Sequence, residues 1–131
     1  MLDPQTVDTT LDGPIELTLP ADSRLLLLVR LVASGLASTA GFDVDQLEDL
    51  RIAVDEAVAA LLEGGDGSRL ALSFAIDDSS VTMVGQTPAN SSGLDGERLE
   101  ISRQILDAVC DENELAPEAE AIRVRIVKRR G

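Results

Sequence analysis

The residues best suited to chemistry are two adjacent carboxylates, Asp55 and Glu56, in the stretch AVDEAV. Glu56 forms a column with Ile52 and Ala60, because residues four apart on a helix lie one above the other. A carboxylate held on a helix can accept a proton from an attacking hydroxyl, so Glu56 is a candidate general base. The plainer interpretation is a solvated carboxylate, since most charged side chains on helices face water.

The helix that carries Glu56 is predicted over residues 43–63. Asp43 followed by Gln46 is typical of a helix N-terminus, and the pair Gly64-Gly65 supplies the stop. Apolar residues recur at steps of three and four and form one buried stripe, beside which the column of Glu56 lies. The stripe consists of Val44, Leu47, Leu50, Val54, Ala57, Val58 and Leu61.

The other hydrophobic patterns predict four strands and two further helices. Alternating apolar residues indicate strands at 15–19, 70–76, 81–84 and 122–127. Helical spacing indicates a helix from residue 22 or 23 to 39, with Leu28 and Val29 among its inward side chains, and another over 97–111. A segment rich in Gly, Ser, Asn and Pro, residues 85–96, is predicted to be a loop.

This order of elements predicts a single α/β domain. Hairpin-linked strands with helices gathered on one side form a two-layer sandwich, with a mixed, mostly antiparallel sheet and helices on one face. The domain is expected over residues 14–131. Residues 1–13 are polar and have no periodicity, so they are expected to form a flexible N-terminal tail.

Composition excludes several classes of function. The chain has 131 residues and a net charge of −13, which disfavours nucleic acid and suits a partner with a basic surface. It has no His, which removes histidine triads and imidazole metal sites, and no metal site is predicted. The one cysteine, Cys110, is predicted to be a core thiol and fits a reducing, cytoplasmic setting. The longest apolar run, residues 25–29, is too short to span a membrane.

Four segments carry a resemblance to a known family. The first predicted helix reads PADSRLLLLVRLVASGLAS with an internal arginine, Arg30, and the second reads LEDLRIAVDEAV. The third helix contains RLEISRQILDAVCDE, and the closing strand reads AIRVRIVKR. In this order they resemble the opening helix, the acidic N-box helix, the helix after the ATP lid and the last strand of the RsbW-like proteins. These are anti-sigma factors and serine-protein kinases with the GHKL (Bergerat, histidine kinase-like) ATPase fold, and the resemblance covers residues 15–129.

The resemblance implies a site for Mg-ATP that this sequence retains only in part. In the family, the Glu of the N-box helix is the base and an Asn one turn later binds Mg²⁺; here these positions are Glu56 and Ala60. The Asp that receives adenine is expected after the third strand, where the chain has Gly85 and Gln86. The Gly-x-Gly expected before the third helix reads Glu-Arg-Leu at residues 97–99. We therefore expect ATP binding to be weak or absent.

The family's function is the expectation for this chain. The resemblance implies an anti-sigma factor that sequesters an alternative sigma factor by protein–protein binding and so regulates transcription. Its expected partners are the sigma factor, a competing anti-anti-sigma protein with a STAS domain, and a second copy in a homodimer; neither nucleic acid nor a membrane is expected. One alternative is an active serine-protein kinase that phosphorylates the STAS-domain antagonist, with ATP and Mg²⁺ as cofactors and Glu56 as base. Another is a nucleotide-free scaffold whose partner is unrelated to transcription.

Overall fold

The computed structural model of the protein describes residues 11–77 and 79–131, so residues 1–10 of the predicted tail lie outside the described residues. The described chain forms five strands and three helices, with a short 3₁₀ turn at Ser23–Leu25. In chain order they are β1 (Ile15–Pro20), α1 (Leu26–Thr39), α2 (Val44–Gly64), β2 (Arg69–Ile76), β3 (Ser80–Pro88), α3 (Gly96–Val109), β4 (Glu112–Glu118) and β5 (Ala121–Arg129). Within these described ranges, no helix has the length and apolar character needed to cross a bilayer.

The five strands form one sheet in the order β1-β2-β3-β5-β4, and each of its four pairings is antiparallel. The helices form the second layer, in which α2 contacts both α1 and α3 and packs on β3 and β5. This arrangement confirms the predicted two-layer α/β sandwich with helices on one face. It also places α2, the helix that carries Glu56, at the centre of the molecule.

Two parts of the sheet differ from the sequence prediction. The strand β4 was not predicted, and only Leu115 among its residues is buried, yet its backbone pairs with β5 along its whole length. The strand β3 continues to Pro88, so the loop before α3 comprises residues 89–95 rather than 85–96. In both places the local sequence has only a weak preference for strand structure, and pairing with a neighbouring strand compensates for it.

Three predictions about burial are wrong. Val44 is 80% exposed, because it is the first residue of α2 and the buried part of that helix begins only at Leu50. Leu28 is 43% exposed instead of facing the core. Ala60 is fully buried although it lies beside the predicted stripe. A helix with neighbours on both sides and a sheet below buries a wider face than one stripe, which explains Ala60.

Candidate functional site

The N-terminus of α2 is fixed by a complete capping box. The Asp43 Oδ1 accepts a hydrogen bond from the Gln46 backbone N–H at 2.8 Å, and the Gln46 Oε1 accepts one from the Asp43 N–H at 2.9 Å. At the other end, the Gly65 N–H donates to the Leu61 carbonyl at 2.9 Å. The predicted cap and stop are therefore confirmed, and a helix closed at both ends holds Glu56 in a defined position.

Glu56 is enclosed by two side chains of α3. Its Oε1 accepts hydrogen bonds from Arg98 Nη1 at 2.6 Å and from Ser102 Oγ at 2.7 Å. The Glu56 side chain is only 14% exposed and Ser102 is fully buried, so Glu56 is not the solvated carboxylate of the plainer interpretation. One oxygen of Glu56 already binds a cation and a hydroxyl. The role of Glu56 as a general base stays a prediction.

Arg98 joins Glu56 to a second carboxylate, two turns further along α2. Its Nε donates to Glu63 Oε2 at 2.6 Å, and its Nη1 also donates to Ser102 Oγ. Hydrogen bonding to Glu56, and then to Glu63, raises the pKa of Arg98 above its usual value, so the guanidinium is charged. We call Glu56, Glu63, Arg98 and Ser102 the Arg98 cluster.

Ala60 and Gly85 stand where the resemblance expects the metal and adenine ligands. Ala60 is fully buried one turn after Glu56 and carries only a methyl group. Gly85 lies in β3, where an added Cβ would come within 2.8 Å of Leu61 Cδ1 and 3.0 Å of Leu72 Cδ2. The side chain of Leu61 therefore fills the space beside Gly85 from the helix layer.

Gln86 lies on the face of the sheet opposite to the helices. It is exposed between two buried residues of β3, and its backbone pairs with Ala71 of β2 and Arg123 of β5. Its side chain helps to line an open depression of about 390 Å³ on that face. The structure thus keeps Glu56 and Ala60 together along α2 and separates Gln86 from them.

The residues at these positions do not fit a nucleotide with its metal. A methyl group at residue 60 cannot ligate Mg²⁺, which takes oxygen ligands. Gly85 has no side-chain acceptor for the adenine amino group, and a side chain added there would meet Leu61 and Leu72. The charge of Arg98, hydrogen-bonded to Glu56, would repel a metal cation at that carboxylate.

Asp55, the other carboxylate of the adjacent pair, points to α1 instead of α3. Arg30 donates to both of its oxygens, from Nε to Oδ1 at 2.7 Å and from Nη2 to Oδ2 at 2.9 Å. The hydrogen bonds to Asp55 raise the pKa of Arg30, and both side chains are more than a third exposed. Consecutive residues of α2 therefore connect it to its two flanking helices.

The thiol of Cys110 is expected to be unreactive in the folded protein. The residue follows α3 and packs against the core, and burial is the main cause that raises its pKa from 9.0 to about 12. Because the thiolate is the nucleophile, iodoacetamide at pH 8 should label the folded protein at least about tenfold more slowly than the protein in urea. Mass spectrometry measures both rates, and equal rates would contradict the assignment.

The same shift sets the sign of a pH effect on stability. The unfolded thiol ionises near pH 9 and the folded thiol only near pH 12, so the neutral form is favoured by folding. Burial of the neutral Cys110 thiol therefore contributes to the free energy of unfolding in full below pH 9, and this contribution is lost as the pH rises towards 12.

The antiparallel five-stranded sheet and the three helices with α2 at their centre are a fold that also occurs in a solved structure. A crystal structure of the RsbU and RsbW domains of a Mycobacterium tuberculosis protein matches with a TM-score of 0.66. The match covers 88% of this chain and 31% of that one, at 20% sequence identity, and shows the fold. No protein-family model matches the chain.

Sequence comparison finds similarity to several RsbW proteins. The serine-protein kinase RsbW of Halalkalibacterium halodurans is 33% identical over 86 residues, which are 64% of this chain and 53% of that protein. The Staphylococcus epidermidis RsbW is 37% identical over 75 residues, or 53% and 47% of the two chains. The Listeria monocytogenes RsbW is 49% identical over 49 residues, or 37% and 31%. These matches support an RsbW-like family for the chain, and they span about half the length of these relatives or less.

Proposed function

We propose that this protein is an anti-sigma factor that sequesters a sigma factor by protein–protein contact and does not use ATP. The observation that carries the proposal is the Arg98 cluster. In it, the one carboxylate suited to phosphate transfer is bonded to Arg98 and Ser102. Ala60 and Gly85 add no ligand for a nucleotide or its metal. These features favour binding by the surface of the domain over catalysis in its interior.

The surface that we propose for the partner is the outer side of α1. Leu27, Leu28 and Leu31 are 62%, 43% and 61% exposed, and they lie within about one helical turn of one another. Single exposed leucines are ordinary, but adjacent ones form an apolar patch of the kind found at interfaces. The net charge of −13 complements a partner that needs a basic surface to bind DNA, as a sigma factor does.

Complex formation tests the proposal directly. The purified protein, mixed in turn with each sigma factor of its organism, should form a complex with one of them on size exclusion. The complex should form equally well with Mg-ATP, with Mg-ADP and with EDTA. Failure with every sigma factor, together with recovery from cells of a complex that has no transcription component, would favour the scaffold alternative.

Nucleotides are expected to leave the thermal stability of the protein unchanged. A ligand at a hundred times its Kd adds about 2.7 kcal/mol to the free energy of unfolding, which raises Tm by several degrees in a domain of this size. Because the site lacks ligands and room, millimolar ATP or ADP with Mg²⁺ should shift Tm by less than about 1 °C. Differential scanning fluorimetry measures the shift, and a Mg²⁺-dependent rise of several degrees would contradict the proposal.

A serine-protein kinase acting on a STAS-domain antagonist is the second candidate. Two observations favour it: Glu56 is retained, and the relatives bear the name serine-protein kinase. In this case labelled phosphate would pass from ATP to a serine of the antagonist, and Glu56→Gln would abolish the transfer. We expect no transfer with either the wild-type chain or the variant.

A further inference from the structure

The loop between β3 and α3, residues 89–95, is attached to α2 at both ends through one residue. At its start, Asn90 Nδ2 donates to the Glu63 carbonyl at 3.2 Å, and the Asn90 N–H donates to the neighbouring Gly64 carbonyl at 2.9 Å. Just after its end, Arg98 binds the carboxylate of the same Glu63. The backbone of Glu63 therefore holds the beginning of the loop, and its side chain holds the helix that follows.

The charges of this attachment are placed against the helix dipoles. Arg98 lies in the first turn of α3, where a cation is unfavourable, and Glu63 lies in the last turn of α2, where an anion is unfavourable. Each charge offsets the other only when α3 lies on α2. Neither placement helps its own helix, so the pair is explained by the contact between the two helices.

Burial makes the inner part of the attachment the stronger one. Arg98 is 20% exposed and Glu56 is 14% exposed, whereas Glu63 is 55% exposed. The outer pair with Glu63 is screened by water, while the inner pair with Glu56 is largely shielded from it. Arginine is suited to this position because its planar fork donates in two directions, which the single ammonium of lysine does less well.

We infer that Arg98 is an internal cation that latches loop 89–95 and the start of α3 onto α2, so that this end of the domain is closed without any bound ligand. Arg98 takes the position at which the family resemblance expects a glycine-rich turn. It acts as a positioning residue, since its guanidinium fixes Glu56, Glu63 and Ser102 relative to one another. The inference holds whatever partner the outer surface binds.

A double-mutant cycle with local hydrogen exchange tests the latch. Arg98→Met keeps much of the side-chain volume and removes the charge, and Glu56→Gln neutralises its inner partner. Arg98→Met should speed amide exchange in residues 90–103 by about tenfold or more. Exchange in β3 and β5 should remain slower than exchange in residues 90–103. Adding Glu56→Gln should recover part of the lost Tm, because no unpaired buried carboxylate then remains.

The Arg30–Asp55 pair provides the matched control. It also joins two helices through two short hydrogen bonds, but both side chains are more than a third exposed. Arg30→Met and Asp55→Asn should leave exchange in residues 90–103 at the wild-type rate. Arg98→Lys, which keeps the charge and loses the fork, should give an intermediate rate.

Two results would overturn the inference. One is wild-type exchange in residues 90–103 of Arg98→Met; the other is strict additivity of the Arg98→Met and Glu56→Gln effects on Tm. If Arg98→Met alone does not fold, the double variant decides. It folds if Arg98 serves to balance Glu56, and it remains unfolded if only the bulk of the arginine matters, which would contradict an ionic latch.

Discussion

Replacing Gly85 with Asp, the residue type that the family's adenine site requires, is expected to cost about 4 kcal/mol or more of the free energy of unfolding. An added Cβ would lie 2.8 Å from Leu61 Cδ1 and 3.0 Å from Leu72 Cδ2, and both leucines are buried. Overpacking of this kind costs about 1–3 kcal/mol. The carboxylate would also stand among aliphatic side chains without a partner, which adds several kcal/mol. Urea unfolding followed by circular dichroism measures the loss.

Gly85→Ala is the matched control, because it adds the Cβ without the charge. It should cost about 1–3 kcal/mol, and combining it with Leu61→Ala should cost less than the sum of the two single changes, since Leu61 then vacates the contested space. A Gly85→Asp variant with wild-type stability would show that this space opens readily. In that event the main steric reason against a nucleotide beside Gly85 would be lost.

The parts of the fold that the sequence could predict are those with local causes. The helix α2 was predicted over residues 43–63 and observed at Val44–Gly64, because Asp43 and Gln46 form the cap with each other across three residues. The closing strand was predicted for the same kind of reason, a strict alternation around Val124. Signals of this type do not depend on what the rest of the chain does.

The parts that it could not predict depend on residues far apart in the chain. The strand β4 is stabilised by its pairing with β5, and its own sequence, with Pro117 and several glutamates, disfavours strand structure. Exposure on α1 and α2 likewise depends on which helices flank each other. Periodicity alone therefore gave the wrong burial for Val44, Leu28 and Ala60.

In the candidate site too, the sequence shows the residues with local signals and misses the contacts between distant residues. Glu56 was found because residue type and helical spacing are visible in a sequence. Arg98 was noted only as a departure from a glycine motif, although its contacts with Glu56 and Glu63 decide what that carboxylate can do. The available signal was electrostatic: a cation in the first turn of a helix is unfavourable there and calls for a partner elsewhere in the fold.

The proposed partner surface makes the second large prediction. Leu31→Glu should weaken binding of the sigma factor by about 2–4 kcal/mol, or roughly 30- to 1,000-fold in Kd, because it places a charge within an apolar contact. The Leu31 side chain is 61% exposed in the free protein, so the free energy of unfolding should change by no more than about 0.5 kcal/mol. Isothermal titration calorimetry gives the Kd, and urea unfolding checks stability.

Val44→Glu is the control that distinguishes loss of the apolar contact from the effect of an added negative charge. Val44 is 80% exposed at the start of α2, so this variant makes the same apolar-to-acidic change outside the proposed surface. If charge alone governs affinity, both variants should change the Kd to the same small extent, towards tighter binding of a basic partner, and the α1 surface would be the wrong one. If the leucines form the contact, only Leu31→Glu should lose affinity. Light scattering of the free variant adds a further distinction, because conversion of a dimer to a monomer would assign the leucines to a second copy of the chain and not to the sigma factor.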